Sequence, residues 1–582
     1  MRPVALVTTL FVTFSSGIAW ADPATDDARI DAIERQIRSL QSELSRLRHD
    51  LATRNAESRA AQQEAARARQ EAQEAARARQ EAQEASVRPA TGSRVAAPAQ
   101  PGAPAAGIAP AMPAGGLPSS LAQNVPGWPG SQEPGPIGSV RAGNFQIGST
   151  QIRLGGFIEL AGIWRSRNEV ADVGSNFNTG IPLPNNPRYY ENEFRMSARQ
   201  SRLSLLVQNQ PNPATTLAAY YESDFLGAAQ TANSNESNSY NLRLRQAYGT
   251  WDNKDLGLHF LGGQAWSLLT MFKTGLVPRQ ENIPLTIDAQ YVVGFNWTRN
   301  PQVRFAKSFA GDRFWLGASL ESPQTLYAPT GPNGLLPQSN LTVNNVNPGG
   351  SLFNAANNYS TDIAPDVIVK AAADPGWGHY EAYGIGRVFR DRVSTLGSGT
   401  NGTAAAGGGG AYALLPLVPK KLELQASFLA GTGIGRYGSA QLPDAIVGPG
   451  GGPRPIPEVE ALVGVVGHPT PALDLYLYAG TEQESRTFFN AAGKGFGYGS
   501  PLYSNATCGI ELGAASGCVG NTSGVWQITL GTWWRFIQGP WGTMQAGAQY
   551  SYTHRSIFSG IGPTPSTDIN MAFLSFRYYP FQ

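Results

Sequence analysis

The stretch Tyr240–Trp251 alternates between two kinds of side chain with the period of a β-strand. Its two faces comprise Leu242, Leu244 and Tyr248 on one side, and Arg243 and Arg245 on the other. Taken alone, such an arginine pair would fit the solvent-exposed face of a sheet in a soluble protein as well as it fits a membrane barrel. Similar two-faced segments recur to the end of the chain. This recurrence indicates a transmembrane barrel, in which one face of every strand meets lipid and the other meets a polar lumen.

The same alternation predicts fifteen further strands. In the first, Gln151–Arg165, Ile158 and Leu160 belong to an apolar face, whereas Arg153, Glu159 and Arg165 share the opposite one. The complete predicted set is 151–165, 195–208, 214–225, 240–251, 256–266, 302–308, 313–321, 366–374, 379–389, 411–418, 421–430, 457–466, 472–482, 524–536, 541–553 and 568–580.

An extra apolar stretch, Tyr291–Thr298, would raise the count to seventeen, and the lengths of the links decide against it. Outer-membrane barrels alternate short periplasmic turns with long outer loops and normally have an even number of strands. If this stretch were a strand, the 44-residue link Ser322–Pro365 would lie on the periplasmic side. Treated as the returning end of the third long loop, it restores strict alternation. The predicted long links are 166–194, 226–239, 267–301, 322–365, 390–410, 431–456, 483–523 and 554–567.

The fold prediction is therefore an all-β transmembrane barrel of 16 antiparallel strands over residues 144–582, with both barrel ends facing the periplasm. Residues 1–21 predict a secretory signal peptide, because a basic residue precedes a short apolar run and an A-x-A cleavage site. A membrane anchor would need about 20 apolar residues. The apolar run here is about half that length.

Residues 22–86 predict an α-helical coiled coil. Its heptad positions a and d are occupied by Ile30, Ile33, Ile37, Leu40, Leu44, Leu47 and Leu51. Mixed Ile and Leu at both positions does not match the pattern that favours dimers, so a homotrimer is expected. Residues 87–143 are rich in Pro, Ala and Gly and predict a disordered linker. Because both barrel ends face the periplasm, the helix is expected to lie there, and peptidoglycan is its candidate partner.

Composition supports a barrel in an exported protein. Charged residues are only 15% of the chain, whereas aromatic residues reach 10% and glycines number 67. The two cysteines, Cys508 and Cys518, are separated by a glycine-containing stretch that can turn, so we predict a disulfide between them. The five histidines are dispersed without metal-ligand spacing, so no metal and no cofactor are predicted. No phosphate loop or nucleic-acid motif occurs in the chain.

The order of signal peptide, heptad helix, linker and barrel resembles the DcaP-like trimeric outer-membrane porin family. The matching segments are LRLRQAYGTW, the GQAW at Gly263–Trp266, the NPQVRF at Asn300–Phe305, the GTGIGRY at Gly431–Tyr437 and the closing RYYPF. The resemblance implies a homotrimer of channels in the outer-membrane lipid of a Gram-negative cell. It also implies passage of small anionic solutes, with dicarboxylates as the expected class.

The candidate pore-lining residues are basic. Strand parity directs six arginines inward, namely Arg153, Arg165, Arg202, Arg243, Arg245 and Arg304. The third long loop adds Lys273 and Arg279, which we expect against Glu281 and Asp288, and the resemblance implies that this loop folds into the barrel. The alternative is that Glu159, Glu222 and Asp224, also directed inward, pair with the arginines and leave an unselective wall.

Two other functions remain open at this stage. In a tethering protein the barrel would only anchor the helical rod, and a plugged lumen would conduct nothing. A barrel enzyme would need a nucleophile, a base and an orienting group on neighbouring strands. The sequence leaves room for His259 or His554 to meet a serine across the sheet, although we predict that the protein is not an enzyme.

Overall fold

The computed structural model describes residues 143–227, 240–348 and 358–581. Within these ranges the chain forms strands and loops, together with three 3-10 turns at Pro187–Tyr189, Gly435–Tyr437 and Ala515–Gly517. No helix in this part of the chain is long and apolar enough to cross a membrane. The predicted signal peptide, the coiled coil and all but the last residue of the linker lie outside the described residues.

Sixteen strands form one barrel. They are β1 Thr150–Arg165, β2 Arg202–Asn212, β3 Thr215–Gly227, β4 Asn241–Asn253, β5 Leu258–Trp266, β6 Arg299–Phe309, β7 Phe314–Glu321, β8 Asp366–Ala373, β9 His379–Thr395, β10 Ser398–Val418, β11 Leu422–Thr432, β12 Pro457–Thr470, β13 Leu473–Glu484, β14 Thr522–Gly539, β15 Gly542–Ile557 and β16 Thr567–Tyr579. Each strand pairs antiparallel with the next, and β16 pairs with β1 through Arg577 and Glu159. The predicted closed barrel of sixteen strands is confirmed.

Shorter strands extend the barrel wall and its loops. Asn144–Ile147 pairs with the start of β1, Glu193–Ser197 pairs with its end, and Thr342–Asn344 pairs with β9. Three small hairpins lie in loops, formed by Val346–Pro348 with Asn358–Ser360, Ala445–Val447 with Pro453–Pro455, and Thr487–Ala491 with Lys494–Tyr498.

The two faces of the strands separate apolar from polar side chains. On β1, Ile158, Leu160 and Trp164 are exposed on the outer face, whereas Glu159 and Arg165 are buried on the inner face. The same division holds around the barrel, where large apolar side chains point outward and glutamates, arginines and glutamines point inward. An outer apolar surface with a polar interior is the pattern of a barrel in lipid.

Tyr248 lies on the face opposite to the predicted one. Leu242 and Leu244 point outward as expected, but Tyr248 is buried inside the barrel. The cause is a β-bulge, because Glu222 and Ser223 on β3 face Gln246 and Leu244 on β4, which leaves Arg245 as the extra residue. A bulge adds one residue to one strand and reverses the alternation beyond it.

The predicted long loop at 390–410 is wrong. Here β9 and β10 continue as a ladder to a two-residue turn at Leu396 and Gly397. The glycine and alanine run of β10 lacks the alternation that marks a strand, yet its small side chains permit close packing of the wall. A Cβ on Gly410 would come within 2.1 Å of the Phe428 carbonyl oxygen on β11.

The structure joins Cys508 and Cys518 by a disulfide in the loop between β13 and β14. Leu183, from the loop after β1, packs against this pair. The Asn185 amide also donates to the carbonyl oxygen of Cys508, and the Leu512 amide donates to that of Asn185. The disulfide loop is thereby fixed to its neighbour.

Candidate pore constriction

The loop between β5 and β6, residues 267–298, lies inside the barrel. We call it L3. Tyr291–Thr298 is its returning end and not a strand, as the link lengths predicted. Phe272, Val292, Val293 and Phe295 are fully buried. L3 therefore has a packed core of its own between the barrel walls.

Inward polar groups of the wall hold the backbone of L3. Three of the four acceptors are carboxyl groups, and hydrogen bonds to an ionised group are stronger than neutral ones. The amides and their acceptors are Leu268 with Glu321 at 2.9 Å, Phe272 with Glu381 at 2.8 Å, Val293 with Gln527 at 3.1 Å and Gly294 with Glu482 at 2.7 Å. These acceptors come from β7, β9, β14 and β13, so L3 crosses most of the lumen.

A cluster of arginines and acids lines the wall formed by β2, β3 and β4. Arg245 Nε lies 2.5 Å from Glu222 Oε1, and its Nη1 lies 3.0 Å from Asp224 Oδ2. Arg243 Nη2 contacts the same Asp224 oxygen at 2.7 Å, and Arg202 Nη1 lies 3.7 Å from Glu222. The local pairing that the sequence left open therefore occurs, with three arginines sharing two carboxylates.

L3 places its own basic groups opposite this wall. Lys273 and Arg279 line one cavity of about 50 Å³ together with Arg202 and Arg245. This volume is room for a few water molecules. Arg279 Nη1 lies 3.4 Å from the Tyr248 hydroxyl oxygen, and Arg153 lies close enough to Arg279 for repulsion between their charges. The structure thus brings six predicted residues into one region: Arg153, Arg202, Arg243, Arg245, Lys273 and Arg279.

Burial shifts the pKa of two groups on L3. It raises the pKa of Glu281, against the attraction of Arg304 and Arg279. It also lowers the pKa of Lys273, against the attraction of Glu423 and Asp474.

Two predicted arginines lie outside this cluster. Arg165 is fully buried under the loop after β1, with Glu193 at 3.0 Å and Glu169 at 3.3 Å. Arg304 is buried beneath L3, where it donates to the Gln302 side chain and to the Trp266 carbonyl oxygen. Both arginines stabilise loops and do not line the cavity.

Asp288 was expected against Lys273 and Arg279, and this prediction is wrong. Asp288 Oδ1 accepts a hydrogen bond from the Ser175 amide at 3.1 Å, and the charge that attracts this carboxylate is that of Arg165. The physical reason is that the loop after β1 folds over L3 and brings its own donors to this carboxylate.

Two features of the site were not predicted from the sequence. Arg299 stacks on Trp266 and Trp297, with its guanidinium carbon 4.8 and 4.9 Å from the ring centroids. It lies at the end of a strand, where alternation does not predict which way a side chain points. The other feature is a group of buried acids on β12 and β13, where Glu458 faces Glu484 and Glu460 faces Glu482. The two glutamates of each strand are two residues apart, so strand alternation places both on the same, inward face. This pattern could have revealed the acids.

The two histidines considered for catalysis have other neighbours. His259 Nδ1 lies 2.8 Å from Asp252 on the adjacent strand, and the ring of His554 stacks on Trp526. Among the described residues, no group of three or more His, Cys, Asp or Glu side chains has a geometry that could hold a metal ion.

Glu169 should make the docking of the loop after β1 depend on pH. Burial raises its pKa from 4.5 to about 7, with Arg165 opposing and Asp288 reinforcing the shift. The stabilisation is fully present below about pH 4.5 and is lost as the pH rises through about 7, because the docked form holds the extra proton. The Ala289 amide of L3 donates to the Val173 carbonyl oxygen of the docked loop. Its hydrogen exchange, corrected for intrinsic pH dependence, should therefore become faster over this range.

Glu169→Gln should remove most of this pH dependence. Glu191→Gln is the matched control, since Glu191 is exposed in the same loop and bonds only to the Asn168 side chain among the described residues. An unchanged exchange profile in Glu169→Gln would exclude Glu169 as the titrating group.

Comparisons with known proteins agree with this architecture. The outer membrane channel DcaP of Acinetobacter baumannii is similar over 75% of this chain and 99% of its own, with a TM-score of 0.52 and 16% identity. The chain has a porin-like fold. OmpF of Salmonella typhi matches with a TM-score of 0.42 and 9% identity, over 75% of this chain and 99% of its own. An anion-selective porin from Comamonas acidovorans matches with a TM-score of 0.39 and 9% identity, over 74% of this chain and 99% of its own.

No family model and no curated protein sequence matches the chain. At these identities the structural similarity shows the fold alone. Membership of this porin-like chain in the DcaP-like family therefore stays a prediction.

Proposed function

We propose that this protein is an outer-membrane porin, a homotrimer whose water-filled channels pass small anionic solutes such as dicarboxylates by passive diffusion. The observation that carries the proposal is the basic constriction, where Arg279 on L3 faces Arg202 and Arg245 on the wall. The fold similarity to outer-membrane channels supports the location and the channel. The heptad series in residues 22–86 supports the trimer.

The charge balance of the constriction favours anions. Seven basic groups lie in and around it, against the carboxylates Glu222, Asp224 and Glu281 and the two acids that attract Lys273, namely Glu423 and Asp474. The basic groups are Arg153, Arg202, Arg243, Arg245, Lys273, Arg279 and Arg299. Because charges are screened over about 10 Å at 0.1 M salt, they select ions only in a lumen of that width. L3 supplies the narrowing.

Arg279 is the best placed of these groups to meet a solute. Among the described residues it forms no ion pair within 4.0 Å, and its hydrogen-bond partner is the Tyr248 hydroxyl. The planar guanidinium can contact a carboxylate through two parallel hydrogen bonds. A dicarboxylate could then be held at one end by Arg279 while the wall arginines attract the other.

The test is the reversal potential of the reconstituted protein across a potassium chloride gradient. We expect anion selectivity, and Arg279→Gln should lower the anion-to-cation permeability ratio. One charge about 6 Å from a passing ion contributes about 0.7 kcal/mol in water, or about threefold in permeability. Succinate should reduce the chloride current of the wild-type protein and have less effect on Arg279→Gln.

Arg313→Gln is the matched control, because Arg313 is exposed in the short turn between β6 and β7. The double variant Arg243→Ala with Arg245→Ala should shift selectivity further towards cations, since it leaves Glu222 and Asp224 without their closest partners. A cation-selective wild-type channel would contradict the anion preference. A trimer without conductance would favour the tethering function instead.

A further inference from the structure

The deepest part of L3, Phe272–Gly275, reaches the short turn that joins β8 to β9. The Gly275 amide donates to Asp374 Oδ2 at 3.0 Å, and the Thr274 hydroxyl donates to Asp374 Oδ1 at 3.1 Å. The Phe272 amide donates to Glu381 Oε1 at 2.8 Å. Two carboxylates from the β8–β9 hairpin thus hold both ends of this segment.

His379 lies between the same two carboxylates. Its Nδ1 is 2.8 Å from Asp374 Oδ1, and its Nε2 is 3.0 Å from Glu381 Oε1. A neutral imidazole has one N–H donor, so one of its nitrogens would direct a lone pair at a carboxylate oxygen. When both carboxylates are ionised, only the doubly protonated ring can donate to both, so the geometry favours the imidazolium form.

Lys370 completes the network on the side of β8. Its ammonium lies 2.6 Å from Glu381 Oε2 and donates to the carbonyl oxygens of Leu269 and Thr270, at 3.3 and 2.9 Å. Lys370, Glu381, His379 and Asp374 form a continuous chain of charges along the base of L3. We call this chain the L3 latch.

We propose that His379 is a positioning residue whose proton closes the L3 latch, so that the constriction is fixed when His379 is charged and loosened when it is neutral. Lys273 belongs to the held segment and Arg279 follows it closely, so the latch also fixes two basic groups of the pore. In this respect the inference rests on the proposed function.

The charged surroundings determine the sign of the effect. Asp374 and Glu381 contact the ring directly, and Lys370 contacts Glu381. Farther groups on the packed elements are Arg304 on β6, Glu321 on β7, Tyr412 on β10, Glu423 on β11 and Lys273 on L3. Removing the proton from His379 leaves two carboxylates against a neutral ring, with Lys370 as their nearest cation, so the latch weakens as the pH rises.

Asp374 is an ionised acceptor in the L3 latch. Burial alone would raise its pKa, but hydrogen bonds from His379, Gly275 and Thr274 lower the pKa below its usual value. Asp374 therefore stays ionised while His379 titrates, and the histidine is the group that changes charge.

The experiment measures single-channel conductance and current noise in planar bilayers between about pH 5 and 9, which brackets the histidine range. In the wild-type protein the noise should increase severalfold with pH as L3 loosens. His379→Gln should be noisy at every pH, without the wild-type transition. His554→Gln is the matched control, because the ring of His554 stacks on Trp526, an exposed side chain of β14.

A cysteine lock separates the role of His379 in positioning L3 from a general loss of structure. In Thr274→Cys with Asp374→Cys, a disulfide would replace the contact between the two side chains. The oxidised variant should be quiet over the whole pH range, and reduction should make it noisy. A wild-type pH profile in His379→Gln, or noise that persists in the oxidised lock, would overturn the proposal.

The latch and the proposed function can fail separately. Cation selectivity with an intact pH transition would reject the anion preference and keep the latch. If the protein does not conduct, hydrogen exchange of the Phe272 and Gly275 amides provides the readout. The protection of both amides, corrected for the intrinsic pH dependence of exchange, should fall as His379 loses its proton, and pH-independent protection would reject the latch.

Discussion

Gly480→Ala is expected to displace L3 from the barrel wall and to reduce single-channel conductance severalfold while the barrel remains folded. A Cβ on Gly480 would lie 1.8 Å from the Val293 carbonyl oxygen. That atom belongs to the L3 backbone, so the clash cannot be relieved by a rotamer change. L3 must move away from β13, towards the wall that carries the arginines, and the lumen narrows.

The displacement also breaks the nearby anchors of L3. These are the bonds from the Val293 amide to Gln527 and from the Gly294 amide to Glu482, at 3.1 and 2.7 Å. Hydrogen bonds of this kind contribute about 0.5–3 kcal/mol each. Conductance in planar bilayers measures the narrowing, and a heat-induced mobility shift in detergent shows whether the barrel is intact.

Gly386→Ala is the matched control for this change. Gly386 lies on the outer face of β9, and a Cβ there would meet no atom within 4 Å. The conductance of the Gly386→Ala protein should equal that of the wild-type protein. Wild-type conductance in Gly480→Ala would show that L3 does not rest on β13 during conduction.

Arg387→Leu is expected to destabilise the protein by about 3–5 kcal/mol, the usual cost of leaving a buried charge without its partner. Arg387 is fully buried, with Nη1 2.7 Å from Asp444 and Nε 3.2 Å from Asp366. It also donates to the Gly433 carbonyl oxygen, so it ties the loop after β11 to the wall. Leucine offers no donor to any of these groups.

The loss of stability in Arg387→Leu should increase with pH. Burial already raises the pKa of Asp444, against the attraction of Arg387, and removal of the arginine raises it further. A carboxyl whose folded pKa is raised stabilises the folded protein while protonated and loses this effect as the pH rises through that pKa. Urea unfolding in detergent at about pH 5 and about pH 8 should therefore show the larger deficit at the higher pH.

A second substitution tests the cause of that deficit. Asp444→Asn in the Arg387→Leu background should recover stability, because it removes one unpaired charge. Arg392→Leu is the control on the same strand, since Arg392 is exposed and bonds to Asn401. A deficit that is equal at both pH values, and not relieved by Asp444→Asn, would mean that packing and not charge is responsible.

The barrel could be predicted because strand alternation and link length are independent signals of the same architecture. Parity correctly excluded Tyr291–Thr298 as a strand. The same method failed at Tyr248, since a bulge shifts the register without leaving a mark in the residue types. It also failed for the extension of β10, because its glycines and alanines have too little side chain to show which face is apolar, and β9 extends by pairing with that run.

The basic character of the site was predictable, but its partners were not. Inward arginines follow from alternation within one strand. That Arg165 and Asp288 serve the loop after β1, and that Arg299 reaches the constriction, depends on how separate loops pack together. Those contacts join parts of the chain that have no local relation in sequence. The L3 latch was missed for the same reason.

The route of L3 across the lumen has a consequence for the order of folding. Its amides bond to acceptors from 53 residues away, at Glu321, to 262 residues away, where Ile287 meets Gln549. Such non-local contacts form only after the intervening chain has been brought together, which makes them slow. Since L3 precedes all of these strands in the chain, it must wait for β7 to β15 before it can settle. The constriction formed by L3 is therefore completed only after these strands have been assembled.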